Sequence, residues 1–211
     1  MGETGHHVMV TVEMIAALRT ILRHREDVYV GGDLFIYFQE GDPKQVVCPD
    51  VFVAFGTARH ERRTWKTWEE GGKFPDLIIE IVSDSSRLLD TATKRGGYEG
   101  LGVTEYFLFD PERNRPGPAL WGFARKGGRF VPMKPQRLPS GEVRLTSRLL
   151  RHTLQSEGSR IRLRDARTGQ AVLRLDEEVE ARRREAEAHR REIERLRKQL
   201  AKARGRHPGK K

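Results

Sequence analysis

Two stretches decide the reading of this chain: Cys48–Gly56, CPDVFVAFG, and Phe74–Ser86, FPDLIIEIVSDSS. Each is a short apolar run of strand type, and each carries an acid where only apolar residues are expected, Asp50 in the first and Glu80 in the second. Side chains alternate along a strand, so every second residue shares a face. In the second run Leu77, Ile79 and Ile81 fall on one face and Asp76, Ile78, Glu80 and Val82 on the other. In the first, Cys48, Asp50 and Phe52 share a face. If the two strands are neighbours, Asp50 and Glu80 converge. Two ionised carboxylates repel, and burial sharpens the conflict. A hard divalent cation such as Mg²⁺ or Mn²⁺ resolves both problems. The alternative is ordinary: strand-end acids that face solvent or pair with arginines.

Around these runs the chain alternates helix and strand signals. Thr11–His24, TVEMIAALRTILRH, has helical spacing with Thr11 as its cap. Val28–Phe38, VYVGGDLFIYF, reads as strand with a turn or bulge at Gly31-Gly32, and Val46–Phe55 as the next strand. Arg59–Lys73, with Trp65 and Trp68, has no clear period and reads as a basic loop or short helix. Arg87–Gly100 reads as a short helix after the loop Ser83–Ser86, and Thr104–Glu112 as a strand closed by a turn. Ala119–Leu150 reads as a hairpin-rich flank. Arg160–Arg164 and Ala171–Leu175 read as a last hairpin.

On the helix after Glu80, Asp90, Lys94 and Tyr98 form an i, i+4, i+8 stripe. Lys94 can therefore project toward the acids and stabilise developing charge, or form an ordinary surface pair with Asp90. The single cysteine, Cys48, excludes an internal disulfide. It reads as a buried structural thiol. His6 and His7 are too few for a metal tract.

The formal charge is +10 over 211 residues, which favours polyanionic partners. Half of it lies in Asp176–Lys211, where 13 basic residues face 8 acidic ones. There Val179, Ala186, Ile193 and Leu200 recur every seven residues, with Arg182, His189, Leu196 and Ala203 between them, a heptad seam. It reads either as a self-associating coiled coil or as a solitary helix held by Glu–Arg pairs. The expected divisions are a globular domain over 1–175, the helix over 176–204 and a disordered basic tail over 205–211. The absence of a long apolar run leads us to expect no signal peptide, no membrane span and a cytoplasmic location.

Taken in order, PD, IEIVSDSS, the D-x-x-x-K-x-x-x-Y stripe and Leu101–Glu112, LGVTEYFLFDPE, closely resemble the bacterial Uma-two restriction-endonuclease family of the PD-(D/E)XK nuclease superfamily. The resemblance covers roughly Val8–Leu150 and includes VYVGGDLFIYF and Trp65–Glu70. It implies an α+β, restriction-endonuclease-like fold with a mixed central sheet flanked by helices, a DNA substrate, Mg²⁺ or Mn²⁺ as cofactor and a homodimer suited to cutting two strands. Asp50 and Glu80 match the two motif acids, and with the Ile81 carbonyl they would hold the metal. The superfamily lysine normally lies two residues after the second acid, where this chain has Val82; Lys94 matches the lysine that family members draw from the next helix. Glu13 loosely matches an extra acid. Asp76 belongs to a second ProAsp but begins its strand, away from the metal. Arg62, Arg63, Lys66 and Arg95 are the expected phosphate contacts. A nuclease fold serving as a nucleic-acid-binding or assembly module is the alternative.

Overall fold

The computed structural model describes residues 4–82, 88–113 and 116–205; the predicted loop Ser83–Ser86, the tail from 206 and the side chain of Asp90 lie outside what it describes. The chain divides into two compact units, up to Val172 and from Leu173.

In the first unit, helix α1 (Gly5–Ile21) precedes β1 (Val28–Gly31), β2 (Ile36–Tyr37), β3 (Val46–Val47), β4 (Val51–Phe55), β5 (Trp65–Lys66) and β6 (Leu77–Ile81). Then follow α2 (Leu88–Gly100), β7 (Glu105–Phe109), β8 (Leu120–Lys126), β9 (Arg129–Pro132), β10 (Gln136–Arg137), β11 (Val143–Ser147), β12 (His152–Glu157) and β13 (Arg160–Asp165). Six strands form one sheet in the order β1-β4-β6-β7-β8-β9. Its β6–β7 pair is parallel, joined across α2, and its other pairs are antiparallel. This is the mixed sheet expected. A four-stranded antiparallel sheet, β10 to β13, and a small sheet β3-β2-β5 complete the unit.

Apolar side chains fill both faces of the six-stranded sheet. Leu77, Ile79 and Ile81 of β6 join Val10, Met14 and Leu18 of α1 and Leu145, Leu154 and Leu163 of the second sheet. Ile78 joins Phe52, Trp65, Tyr98 of α2 and Tyr106 on the opposite face. The period-two reading of β6 therefore holds residue by residue. A strand buried on both sides reads as a continuous apolar run, which makes Glu80 conspicuous within it.

Four boundaries differ from expectation. Helix α1 starts at Gly5, with Thr4 capping the His7 amide, and Thr11 is buried inside it. Val46–Phe55 is two strands in two sheets, because Pro49 lacks an N–H for a ladder and its carbonyl instead accepts from Asp33. Val28–Phe38 is likewise two strands, parted by a bend in which Asp33 adopts φ 50°. The last hairpin is β12–β13 around Gly158, with Ala171 contributing a single bridge to Arg164. Polar residues in HTLQSE hid β12.

The second unit holds α3 (Leu175–Gly205), whose first turn carries Asp176, Glu177 and Glu178. Opposite charges flank the positive end of its dipole as expected. Pairs such as Arg182–Glu178 and Lys198–Glu194 run along it. No described helix is long and apolar enough to cross a membrane.

Candidate active site

The antiparallel register pairs Val51 with Ile79. One step further along, that register sets Asp50 opposite Glu80. Both are buried, at 7% and 3% exposure, so each carboxylate needs partners. Asp50 Oδ2 accepts the Ile81 amide at 2.6 Å. Its Oδ1 lies 3.3 Å from His7 Nε2, within ion-pair distance but without hydrogen-bond alignment. Glu80 Oε1 accepts the Tyr98 hydroxyl at 2.6 Å, and Oε2 accepts Lys94 Nζ at 2.9 Å. Lys94 and Tyr98 are one helical turn apart on α2, so one face of that helix delivers a cation and a neutral donor to the same carboxylate.

Burial pushes the Glu80 carboxyl up to about 7, and the negative charge of Asp50 adds to the rise; Lys94 and Tyr98 oppose it. The Tyr98 phenol is raised as well, first by burial and then by Glu80. The two acids are thus short of positive charge even with Lys94 in place. That electrostatic deficit, with hard oxygen donors, fits an Mg²⁺-type cation better than a soft metal. Among the described residues no cluster of three or more His, Cys, Asp or Glu side chains could hold a metal.

The backbone behind Asp50 is held by a glycine. A Cβ on Gly32 would lie 2.3 Å from the Asp50 carbonyl oxygen and 2.6 Å from Ile15 Cδ1. The second glycine of Val28–Phe38 is therefore needed for close approach to the Asp50 backbone. Cys48 is exposed rather than buried. Its strand ends before it, leaving it beside the acids. Partial desolvation, and then Asp33, Asp50 and Glu80, raise its thiol to about 11.

His7 is the site residue that sequence reasoning missed. It is 4% exposed and continues the buried stripe of Val10, Thr11, Met14 and Leu18. That helical spacing, carried one turn toward the N-terminus past Thr11, would have found it. Glu13 is not at the acids; it pairs with Arg160 of β13. Asp76 accepts the Phe55 amide at 2.7 Å and ties β4 to β6.

The four expected phosphate contacts have different surroundings. The Arg62 side chain is 3% exposed. It donates to both Glu70 oxygens, at 2.6 and 2.9 Å, and lies 4.5 Å over Tyr29 and 4.8 Å over Trp65. Arg63 and Arg95 are exposed, Arg95 standing 5.1 Å from the Phe123 ring. Lys66 pairs with Glu69 at 2.8 Å. Trp65 is fully buried, while Trp68 lines a cavity of about 280 Å³ with Tyr37 and Lys66.

A comparison with curated proteins finds no match. Among solved structures, one described as a "putative nuclease belonging to DUF820" from Anabaena variabilis ATCC 29413 is 15% identical, with a TM-score of 0.47, over 66% of this chain and 77% of that one. The family model described as "Uma2: Putative restriction endonuclease" matches residues 1–142. That span contains the acid pair, Lys94 and Tyr98, and the chain belongs to the Uma2 family.

Proposed function

We propose that the chain is a metal-dependent endonuclease that hydrolyses DNA phosphodiester bonds. Membership of the family supports a nuclease acting on nucleic acid. The observation that carries the finer reading is the buried Asp50–Glu80 pair with Lys94 bonded to Glu80. Asp50, Glu80 and the Ile81 carbonyl would hold one Mg²⁺ or Mn²⁺. When bound, such an ion polarises a phosphate oxygen and lowers the pKa of a water ligand.

The chain's own residues have separable tasks in this reading. The Ile81 amide fixes the rotamer of Asp50, and Tyr98 fixes Glu80 without adding charge. Lys94, 37% exposed, is close enough to solvent to orient an attacking water and to stabilise charge on the transferring phosphate. His7 flanks Asp50. Arg63, Lys66 and Arg95 would meet backbone phosphates, contacts that position DNA without reading its sequence. Arg62 is already committed to Glu70 and two rings. A cytoplasmic homodimer, paired along the heptad seam of α3, would bring two sites to one duplex.

The second reading, a nuclease fold that binds nucleic acid without cutting, is favoured by Val82, which is 6% exposed and packed in the aromatic cluster. The two readings part in one experiment. Mn²⁺ and Mg²⁺ binding are measured by calorimetry on wild type and on Asp50→Ala with Glu80→Ala, followed by cleavage of plasmid and linear DNA. Binding and nicking that both vanish in the double variant support the endonuclease. Salt-sensitive DNA binding without metal binding supports the binding module.

A further inference from the structure

A second concave site lies at the other end of the six-stranded sheet. It is a cavity of about 580 Å³ between β8–β9 and β10–β11, bounded by Thr104 and Glu105 at the start of β7. This size falls in the roughly 300–1,000 Å³ range of small-molecule sites. The two sheets meet at Gly122, where a Cβ would be 2.9 Å from Met133 Sδ and 3.0 Å from Leu145 Cδ1. Two residues along β8, at Ala124, the cavity begins.

Its lining is strongly cationic. Lys126, Lys134, Arg144 and Arg148 all line it, and among the described residues none of the four takes part in an ion pair. Arg144 donates to the Gln155 amide oxygen, an uncharged acceptor. Arg125 also lines the cavity, but its guanidinium is turned to the Glu99 carbonyl and is not counted. Elsewhere in this unit buried arginines are neutralised, Arg62 by Glu70 and Arg162 by Glu157. Among the described lining residues the carboxylate is Glu105, which is 2% exposed, accepts the Ser147 hydroxyl and the Arg148 amide, and attracts the nearby Arg148 charge. Four like charges around one concavity repel one another, and an anion relieves that repulsion. Val131, Met133 and Leu149 give the same cavity an apolar wall.

We propose that this cavity is a second ligand site, taking a nucleotide through two or more phosphate charges on its cations with the ring against its apolar wall. More than one phosphate is required, because four cations exceed what a single phosphate neutralises. The nucleotide comes either as a free nucleoside polyphosphate or as part of a nucleic-acid strand. The site is separate from the acid pair. Glu105 is in register with Leu77, the first residue of β6, and Glu80 lies three residues further, about 10 Å along the strand. A nucleotide held by the cations at this end leaves Asp50 and Glu80 untouched, so the inference stands apart from the nuclease reading.

The test is fluorescence anisotropy on the full chain without divalent cations, with two probes: a methylanthraniloyl nucleoside triphosphate and a fluorescein-labelled single-stranded oligonucleotide. Lys126 and Lys134 are exposed, so Lys126→Glu with Lys134→Glu leaves the fold intact, which circular dichroism checks. The double variant should weaken binding by roughly tenfold or more and lower the strand's log–log salt slope by about 1.4, two contacts at about 0.7 each. Asp50→Ala should bind as wild type does. Binding of the triphosphate alone identifies a free nucleotide as the source, and binding of the strand alone a nucleic acid. The proposal is overturned if wild type binds neither probe, if the double variant binds as wild type does, or if Asp50→Ala weakens binding equally.

Discussion

Replacing Arg62 by alanine separates a structural arginine from a DNA contact. The side chain is 3% exposed and Glu70, its partner, 13%. Truncation removes two charge-assisted hydrogen bonds to Glu70 and leaves that carboxylate with Thr57 as its remaining hydrogen-bond partner from this set. Breaking a buried pair from one side costs roughly 3–5 kcal/mol, and the partly open rim at Glu70 points to about 3. Loss of the stacking on Tyr29 and Trp65 adds about 1 kcal/mol. Urea denaturation at pH 7 should therefore show a loss of about 3–4 kcal/mol. The pH dependence has a definite sign. The Arg62 hydrogen bond holds the Glu70 carboxyl below its ordinary 4.5. Its stabilisation is present above 4.5 and disappears as pH falls through the lower folded-state value. The gap between wild type and variant should narrow below pH 4.5. In DNA binding, the salt slope should stay unchanged under conditions where the variant is folded. A destabilisation under about 1 kcal/mol together with a slope lowered by about 0.9 would refute the structural assignment and restore Arg62 as a phosphate contact.

Three further outcomes follow from the site and the helix. Because the Glu80 carboxyl rises from 4.5 to about 7 on folding, the folded state binds the extra proton between these values, and metal-free stability should fall as pH climbs through that window; Glu80→Gln should flatten the decline in urea titrations with chelator, and an unchanged decline would place its origin elsewhere. Gly32→Ala puts a methyl 2.3 Å from the Asp50 carbonyl oxygen and should cost about 1–3 kcal/mol while weakening Mg²⁺ binding; calorimetry showing wild-type affinity would mean that Asp50 does not hold the ion. Leu196 and Leu200 are 46% and 60% exposed on the heptad seam, so Leu196→Glu with Leu200→Glu should convert a dimer to a monomer in sedimentation velocity, and a wild-type chain that is already monomeric rules out pairing through α3.

How much of this was legible in the sequence depended on the range over which each signal acts. The Asp50–Glu80 pair was readable because it rests on period two and on one assumption, that two apolar runs are adjacent. Lys94 and Tyr98 were readable because i, i+4 spacing is a local property of a helix. His7 was hidden by a choice of cap. Thr11 is a good capping residue by type, yet its 2% exposure shows that a threonine can equally be packed inside the helix. Cys48 was misplaced because the strand was carried through Pro49, whose missing N–H should have ended it. Arg62 could not have been read at all. Its partners Tyr29, Glu70 and Trp65 come from three separate segments, and only tertiary packing decides whether an arginine faces a phosphate or a ring.

The position of the lysine follows from the same packing. A lysine two residues after Glu80 would occupy Val82, which is 6% exposed among Tyr98, Tyr106 and Phe52. Burying an ammonium there would desolvate it against aromatic and aliphatic neighbours. Lys94 avoids that cost, because on α2 its side chain stays 37% exposed while its ammonium reaches Glu80. Tyr98, one turn away, holds the other oxygen from inside the cluster. Moving the cation from strand to helix thus lets the aromatic face close over Val82 while the acid pair still meets a positive charge.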